Sequence, residues 1–217
     1  MTSYIKKTEC KRCGKCCTKG GPVLHIEDKT LVEEGHIPIN RIITIRSMEP
    51  AHSPHINTVE PAASEMLKIS GQGKEWTCAF FQPSLNNCGV YKTRPIECKL
   101  LFCEDTAGIS AVIGKELLQR SQIIDKNTEL FDFVQNHENE CPFSMLHEMA
   151  GQSRKGTSLP ENSRADISKL IAKDLVLRDK GIAHFRFSVE EELFYLGRPM
   201  YFSLPYYGLH PEHFLPS

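Results

Sequence analysis

The sequence predicts an α+β chain: a small, irregular, cysteine-rich domain of short strands and helices, followed by a C-terminal helical segment. Three observations lead there. Nine cysteines fall before residue 142, four of them packed into CKRCGKCC at Cys10–Cys17. The β-branched runs are only a few residues long and are punctuated by Gly, Pro and Asn, which suits short strands joined by turns. From about Ile109 onward, apolar residues recur at helical spacing instead.

Taken in order, Ile26–Gly35 (IEDKTLVEEG) reads as a short helix stopped by Gly35. Arg41–Met48 reads as a strand and Met66–Ser70 as another. Trp76–Phe81 and Cys88–Tyr91 flank Gln82–Asn87, whose Pro and Asn residues suit a turn, so a hairpin carrying Cys78 and Cys88 is expected. Ile96–Cys103 reads as one or two turns of helix with Pro95 at its first position. Helical pattern then runs through AVIGKELLQRSQII and ELFDFVQN. Gly151–Ser163 has loop composition and sets the domain boundary, with residues 1–150 as the cysteine domain and 151–217 as a linker and helical segment packing on it. In that segment Ile167, Leu170, Ile171, Leu175 and Val176 form an apolar stripe, and Ser188–Glu191 has the form of a capping box before ELFYL. The Pro- and aromatic-rich end, GRPMYFSLPYYGLHPEHFLP, is too apolar for a free tail and is expected to pack on the domain or on a partner.

A formal net charge of -1 argues against a nucleic-acid partner. Charge is uneven at the start, where Lys6, Lys7, Lys11, Arg12, Lys15 and Lys19 stand against Glu9 alone. Such a run is either a solvated arm or a set of cations offsetting clustered thiolates. The opening has no apolar core of a signal peptide and no later run is long enough for a membrane span, so a cytoplasmic chain without membrane association is expected.

In a reducing compartment, spaced cysteines read as metal ligands or catalytic groups rather than disulfides, and an odd count does not close into a disulfide framework. Cys10-x2-Cys13-x2-Cys16 repeats the spacing that aims successive sulfurs at one centre, with Gly14 relaxing the turn between them. The same spacing opens ferredoxin-type cluster runs. Cys17 follows Cys16 directly, so one of the two can face a different metal or support the ligands. Cys141-Pro142 offers a remote fourth thiolate. Downstream stand Cys78, Cys88, Cys98 and Cys103; Cys98-x4-Cys103 is compatible with structural zinc but weak alone, and Cys103 is equally a small buried hydrophobe. Cys13-x2-Cys16 as a redox dithiol lacks the strand that precedes thioredoxin-type motifs, and Cys10 and Cys17 would compete in exchange. His52-Ser-Pro-His55 pairs two imidazoles, but Pro54 and the loop composition favour exposure; the other histidines show no mutual pattern.

CKRCGKCC, then CAFF from Cys78, then CGVYKTRPIEC from Cys88 to Cys98, then Cys141, resemble the YkgJ-type cysteine-cluster proteins, which are described as zinc- or iron-chelating domains. The resemblance implies that Cys10, Cys13, Cys16, Cys17, Cys78, Cys88, Cys98 and Cys141 are metal ligands; Cys103 lies outside the shared signature but stays a possible one. It also implies an iron–sulfur (4Fe-4S) or iron protein with a redox or electron-transfer role, with zinc or mononuclear iron as the alternative in a structural, interaction or chelation module. Flagellin lysine N-methylases carry a similar cysteine motif, so the implied protein partner is an electron donor or a modifying enzyme. No glycine-rich loop for a methyl donor is present, and no nucleophile–base or carboxylate pair can be read, so no catalytic residue is assigned. Tyr91 and Arg94 belong to the shared motif. Tyr91 packing on the hairpin and Arg94-Pro95 fixing the next turn is one role; Arg94 donating to thiolate or cluster sulfur is the other.

Overall fold

The computed structural model describes residues 10, 12–53, 57–103, 105–151, 153 and 159–215. The fold is mixed α+β, with small antiparallel strand pairs and a cysteine-rich N-terminal region. In chain order come α1 (Lys29–Glu33), β1 (Ile42–Ile45), β2 (Pro50–Ser53), β3 (Thr58–Pro61) and β4 (Met66–Ile69). Then follow β5 (Gly71–Gln72), β6 (Thr77–Cys78), β7 (Phe81–Gln82) and β8 (Asn87–Cys88). The rest is helical: α2 (Ile96–Leu100), α3 (Ala107–Val112), α4 (Glu129–Glu140), α5 (Phe143–Ala150), α6 (Glu161–Phe185) and α7 (Val189–Tyr195). Among the described residues no helix is long and apolar enough to cross a membrane. The chain forms two units, one of Met1–Ile42 with Leu67–Leu118, the other of Ile43–Met66 with Gln119–Ser217.

The first unit is built on short backbone pairings around fully buried Leu24, Leu67 and Leu118. Leu24 N–H donates to Leu67 O (2.8 Å), Leu118 N–H to Leu24 O (2.9 Å) and Leu67 N–H to Leu118 O (3.1 Å). Each apolar side chain is thereby buried without leaving its backbone groups unpaired. The strand at Arg41–Met48 shortens to β1, and that at Met66–Ser70 to β4. The hairpin differs from expectation: β7 pairs with β8 through Phe81↔Cys88 and Gln82↔Asn87, whereas Cys78 pairs with Gly71 on β5. Two hairpins replace one because Gly71 accepts the Trp76 ring against its bare Cα; a Cβ there would lie 2.5 Å from the indole. The helix at Ile96–Cys103 ends at Leu100, and Pro95 is its N-cap rather than its first residue. The helical reading of AVIGKELLQRSQII also fails between Val112 and Arg120. Gly114 and Glu116 take φ of +74° and +47° there, and the backbone of Leu118 pairs with Leu24 instead of continuing a helix.

In the second unit, β2 and β3 form an antiparallel hairpin with Pro50 opposite Pro61 and Ser53 opposite Thr58. No alternation of apolar and polar residues announced it. Thr128 caps α4 by accepting from Phe131 N–H (3.3 Å). The Ser188 capping box forms as expected, with Glu191 N–H donating to Ser188 Oγ (3.2 Å) and Ser188 N–H to Glu191 Oε2 (2.9 Å). Residues Glu161–Ser163, expected in the loop, open α6. Ile167, Leu170 and Ile171 are buried and Leu175 packs against the same core, but Val176 is 50% exposed and Leu177 is buried instead. The stripe drifts because α6 runs 25 residues, and its inward face rotates along it. Met200, Leu204 and Tyr207 of the C-terminal 3-10 segment close this core together with Phe143, Leu146 and Cys141.

This core also contains charge. Arg46 and Arg120 are buried and share Glu138, at 2.8 Å each, while Arg120 also grips Glu65 (2.6 Å). Asp174, fully buried, accepts from Arg178 Nε (3.0 Å) and from Met200 N–H (3.1 Å), and faces His137 Nε2 at 2.8 Å. Burial pushes the His137 ring down to about 4, so it is neutral at physiological pH.

In the first unit one buried carboxylate fixes the start of α2, the helix that carries Cys98. Asp28 is 1% exposed; its oxygens accept from His25 N–H (3.0 Å) and from Ile96 N–H (2.9 Å), the first residue of α2. Asp28→Ala strands the buried His25 N–H at a cost of about 1–3 kcal/mol and removes the part-buried bond to Ile96 N–H. Urea unfolding is expected to show a loss of that order, and metal content is expected to fall with it.

Candidate metal centre

Five stretches of the first unit bring thiols together: the turn Cys10–Cys17, β6 with Cys78, β8 with Cys88, α2 with Cys98, and the loop after it with Cys103. Seven of these sulfurs, those of Cys10, Cys13, Cys16, Cys17, Cys88, Cys98 and Cys103, line one cavity of about 290 Å³. Cys78 is buried and does not line the cavity. Cys13 and Cys103 are exposed at the cavity's edge. All nine cysteines of the chain are free thiols.

The first turn owes its shape to residues that tolerate left-handed backbone. Gly14 has φ of +74°, and a Cβ on it would stand 2.3 Å from Phe81 Cζ. Arg12 also has positive φ, and its carbonyl is held by Asn86 Nδ2 at 3.1 Å, from the β7–β8 loop. Thr18 N–H closes on Gly14 O (3.0 Å) and Lys19 N–H on Cys16 O (3.1 Å), forming the 3-10 turn Cys17–Lys19. Within the turn Arg12 N–H donates to Cys10 Sγ at 3.3 Å, and Cys16 Sγ lies 3.9 Å from Cys17 Sγ.

The thiols act on one another. Burial, reinforced by Cys16, pushes the Cys17 thiol up to about 12, with further contributions from Cys78 and Cys88. Cys98 is raised by burial and then by Cys78, Cys16, Cys17 and Cys88; burial also raises Cys78. Cys16, Cys17, Cys78, Cys88 and Cys98 are therefore an inner group, while Cys10, Cys13 and Cys103 complete the rim. Cations surround them. The guanidinium groups of Arg12 (4.1 Å) and Arg94 (4.2 Å) both stack on the Tyr91 ring, and both arginines line the cavity with Lys15. Arg94 Nε is buried without a hydrogen-bond partner. Lys68 of β4 donates to Gly21 O; its ammonium is disfavoured by burial but sustained by Glu97, Cys78 and Cys98. Sequence reasoning missed Lys68, whose only signal was a cation inside a buried strand.

Cys141 sits elsewhere. It is fully buried in the core of the second unit and does not line the cavity. Its thiol, pushed up to about 11 by burial, feels Asp174, Arg46, Lys173 and Glu140. His52 is exposed and faces Asn57 Oδ1 at 3.1 Å; His55 lies outside the described residues.

A cavity walled by thiols, with cations around it and no carboxylate among its lining residues, is the donor set of a soft metal. The first unit is thus a cysteine-rich metal-binding domain. Residues 9–108 match the model of the CxxCxxCC family, described as "Putative zinc- or iron-chelating domain", so this part of the chain is similar to that family. No curated protein and no solved structure matches the chain.

Two expectations follow from this geometry. Gly14→Ala forces both a disfavoured φ and a clash with the Phe81 ring, at a cost of about 1–3 kcal/mol. Purified variant protein is expected to carry markedly less metal per chain than wild type, with the second unit's melting unchanged. Because buried thiols with raised pKa are protonated at neutral pH, metal has to displace their protons. Affinity is therefore expected to rise with pH, by about tenfold per unit for each proton released. Calorimetry in buffers of different ionisation enthalpy counts those protons; a flat pH profile would mean the ligands are already thiolates.

Proposed function

We propose that the centre holds an iron–sulfur cluster of the 4Fe-4S type and that the protein moves electrons to or from a protein partner. The observation carrying this reading is spacing. A single tetrahedral ion with metal–sulfur bonds of about 2.3 Å needs its ligands about 3.8 Å apart and leaves no space between them. Here seven sulfurs stand around about 290 Å³, and among the described residues no three thiols of this unit lie within 4.8 Å of one another. That spacing suits a polynuclear group. When bound, such a cluster supplies one-electron chemistry. The chain supplies the thiolates, a largely apolar wall from Phe81, Leu101 and Phe102, and cations at Arg12, Lys15, Arg94 and Lys68. Free thiols throughout support a reducing, cytoplasmic location.

Zinc is the second reading, and one distance favours it: the 3.9 Å between Cys16 Sγ and Cys17 Sγ is close to a tetrahedral edge. In that case the domain is a structural or chelating module without redox chemistry.

Anaerobic purification followed by iron, sulfide and zinc analysis and a visible spectrum separates the two. Stoichiometric iron and sulfide with a broad visible sulfide-to-iron charge-transfer band is the expected result. A colourless protein with stoichiometric zinc overturns it. Cys98→Ser, which removes an inner thiol, is expected to abolish iron and sulfide binding, whereas Cys103→Ser at the rim is expected to retain most of it. Equal losses would make Cys103 a ligand.

A further inference from the structure

Among the described residues, three ligand-type groups stand close together in the second unit, outside the residues that match the family. His137, Cys141 and Asp174 each offer a ligand atom, and these atoms lie within 4.8 Å of one another; all three residues are fully buried. We propose that this trio is a second, structural site for a borderline divalent cation of the zinc class, separate from the cysteine centre.

The geometry is close to a first coordination shell. Bonds of about 2.0–2.3 Å to N, O and S at tetrahedral angles need edges of roughly 3.3–3.8 Å. The nitrogen–oxygen edge stands at 2.8 Å as a hydrogen bond, so it opens slightly while the sulfur moves in by an ångström or less. One nitrogen, one sulfur and one oxygen suit zinc and do not suit an iron–sulfur cluster, which is held chiefly by thiolates.

Burial is the second argument. All three residues are fully enclosed, so an ion here is held without competition from bulk water. An ion on His137 Nε2 replaces that nitrogen's hydrogen bond to Asp174 and puts the ring proton on Nδ1, which is buried without a partner.

Charge is the third argument. Arg178 is the cation for both Asp174 (3.0 Å) and Glu192 (2.7 Å), so one cation meets two carboxylates. The neighbouring Arg46 and Arg120 are already matched by Glu138 and Glu65. The group around Asp174 thus carries one negative charge in excess, in surroundings where unpaired charge is costly. A divalent cation that displaces the Cys141 proton adds one net positive charge and brings the group to neutrality.

The placement has a structural use. Cys141 ends α4 immediately before α5, and Asp174 lies midway along α6. An ion between them cross-links both helices at the centre of the unit. Because the three residues are inaccessible to solvent, the ion stabilises the fold and does not meet substrate.

The test loads the full chain with cadmium alone and records its 113Cd NMR spectrum. Thiolate-only coordination resonates far downfield of a site with one sulfur and two nitrogen or oxygen ligands. The expected result is a mixed-ligand resonance that disappears in Cys141→Ala, with one equivalent of cadmium lost. A spectrum with only thiolate-type signals overturns the inference, as does a mixed-ligand signal that survives in Cys141→Ala. Should that variant not fold, X-ray absorption at the edge of zinc bound to wild type decides. Nitrogen or oxygen scatterers in a share matching one mixed site of those loaded support it, and an all-sulfur shell refutes it. The outcome is independent of the cysteine centre, whose failure to bind metal would leave the mixed-ligand signal standing.

Discussion

Thiols packed together away from water are stable as thiols and costly as thiolates, and the first unit is arranged around that constraint. Each inner cysteine raises its neighbours' cost of ionising, and burial raises it further. Metal binding therefore has to provide the energy that converts the group to thiolates, and the cations in the wall lower that requirement. Arg12 and Arg94 both stack on the Tyr91 ring, an arrangement that brings two like charges close together. Cation–π attraction holds each guanidinium by about 0.5–2 kcal/mol, and a negatively charged centre beside them removes the remaining repulsion. Arg94 Nε, buried and unpaired, is a donor without an acceptor until such a centre is present. Lys68 approaches from β4, on the side of Cys78 and Cys98. The basic residues and the thiols are thus two halves of one electrostatic device.

The second unit meets the same difficulty, charge in a dry core, mostly with fixed pairs. Arg46, Arg120 and Arg178 each reach carboxylates and backbone carbonyls together: Cys141 O for Arg46, Tyr195 O for Arg120, Leu196 O and Gly197 O for Arg178. An arginine bound in this way joins segments far apart in sequence, and removing one carboxylate would strand a buried cation at a cost of about 3–5 kcal/mol. Replacing whole pairs by apolar residues can be neutral, so the pairs specify which segments meet more than they add stability. The contrast between the units is physical. Where the partner charge is a side chain, the network is already complete; where it is a metal, as around the thiols, the protein provides only the receiving half.

The legible parts of this chain were those with local causes. Gly35 as a helix stop, the Ser188 capping box, the strands at β1 and β4, and the α6 stripe up to Ile171 each follow from a few adjacent residues. The same holds for the clustered thiols Cys10, Cys13, Cys16 and Cys17, which share one short turn. What sequence could not show depends on distant partners. Cys78 leaves the hairpin of Cys88 because Gly71 makes room for Trp76, and residues 113–119 forgo helix because Leu118 is recruited to Leu24. Arg46, Arg120 and Arg178 look like ordinary surface charges until their carboxylates are known. His137 and Cys141 did carry a signal, since residues four apart on a helix share a face, but Asp174 becomes their neighbour only when α6 packs.

The adjacency of Cys16 and Cys17 shows how tightly the metal reading and the backbone are coupled. Side chains at consecutive helical positions diverge by about 100°, so they do not normally meet. These two sulfurs nevertheless lie 3.9 Å apart at the start of a 3-10 turn, and both belong to the mutually repelling inner group. For a single ion the pair can occupy two corners of one tetrahedron. For a cluster the corners are farther apart, so one sulfur ligates while the other packs behind it and shapes its surroundings. The two metals therefore demand different work of Cys17. With one ion, Cys17 has to lose its proton. With a cluster bound through Cys16 it can keep that proton and donate to the neighbouring thiolate, which lowers the electron density on that sulfur and raises the reduction potential of the group it holds. The high cost of ionising Cys17 is thus an obstacle in the first arrangement and an asset in the second.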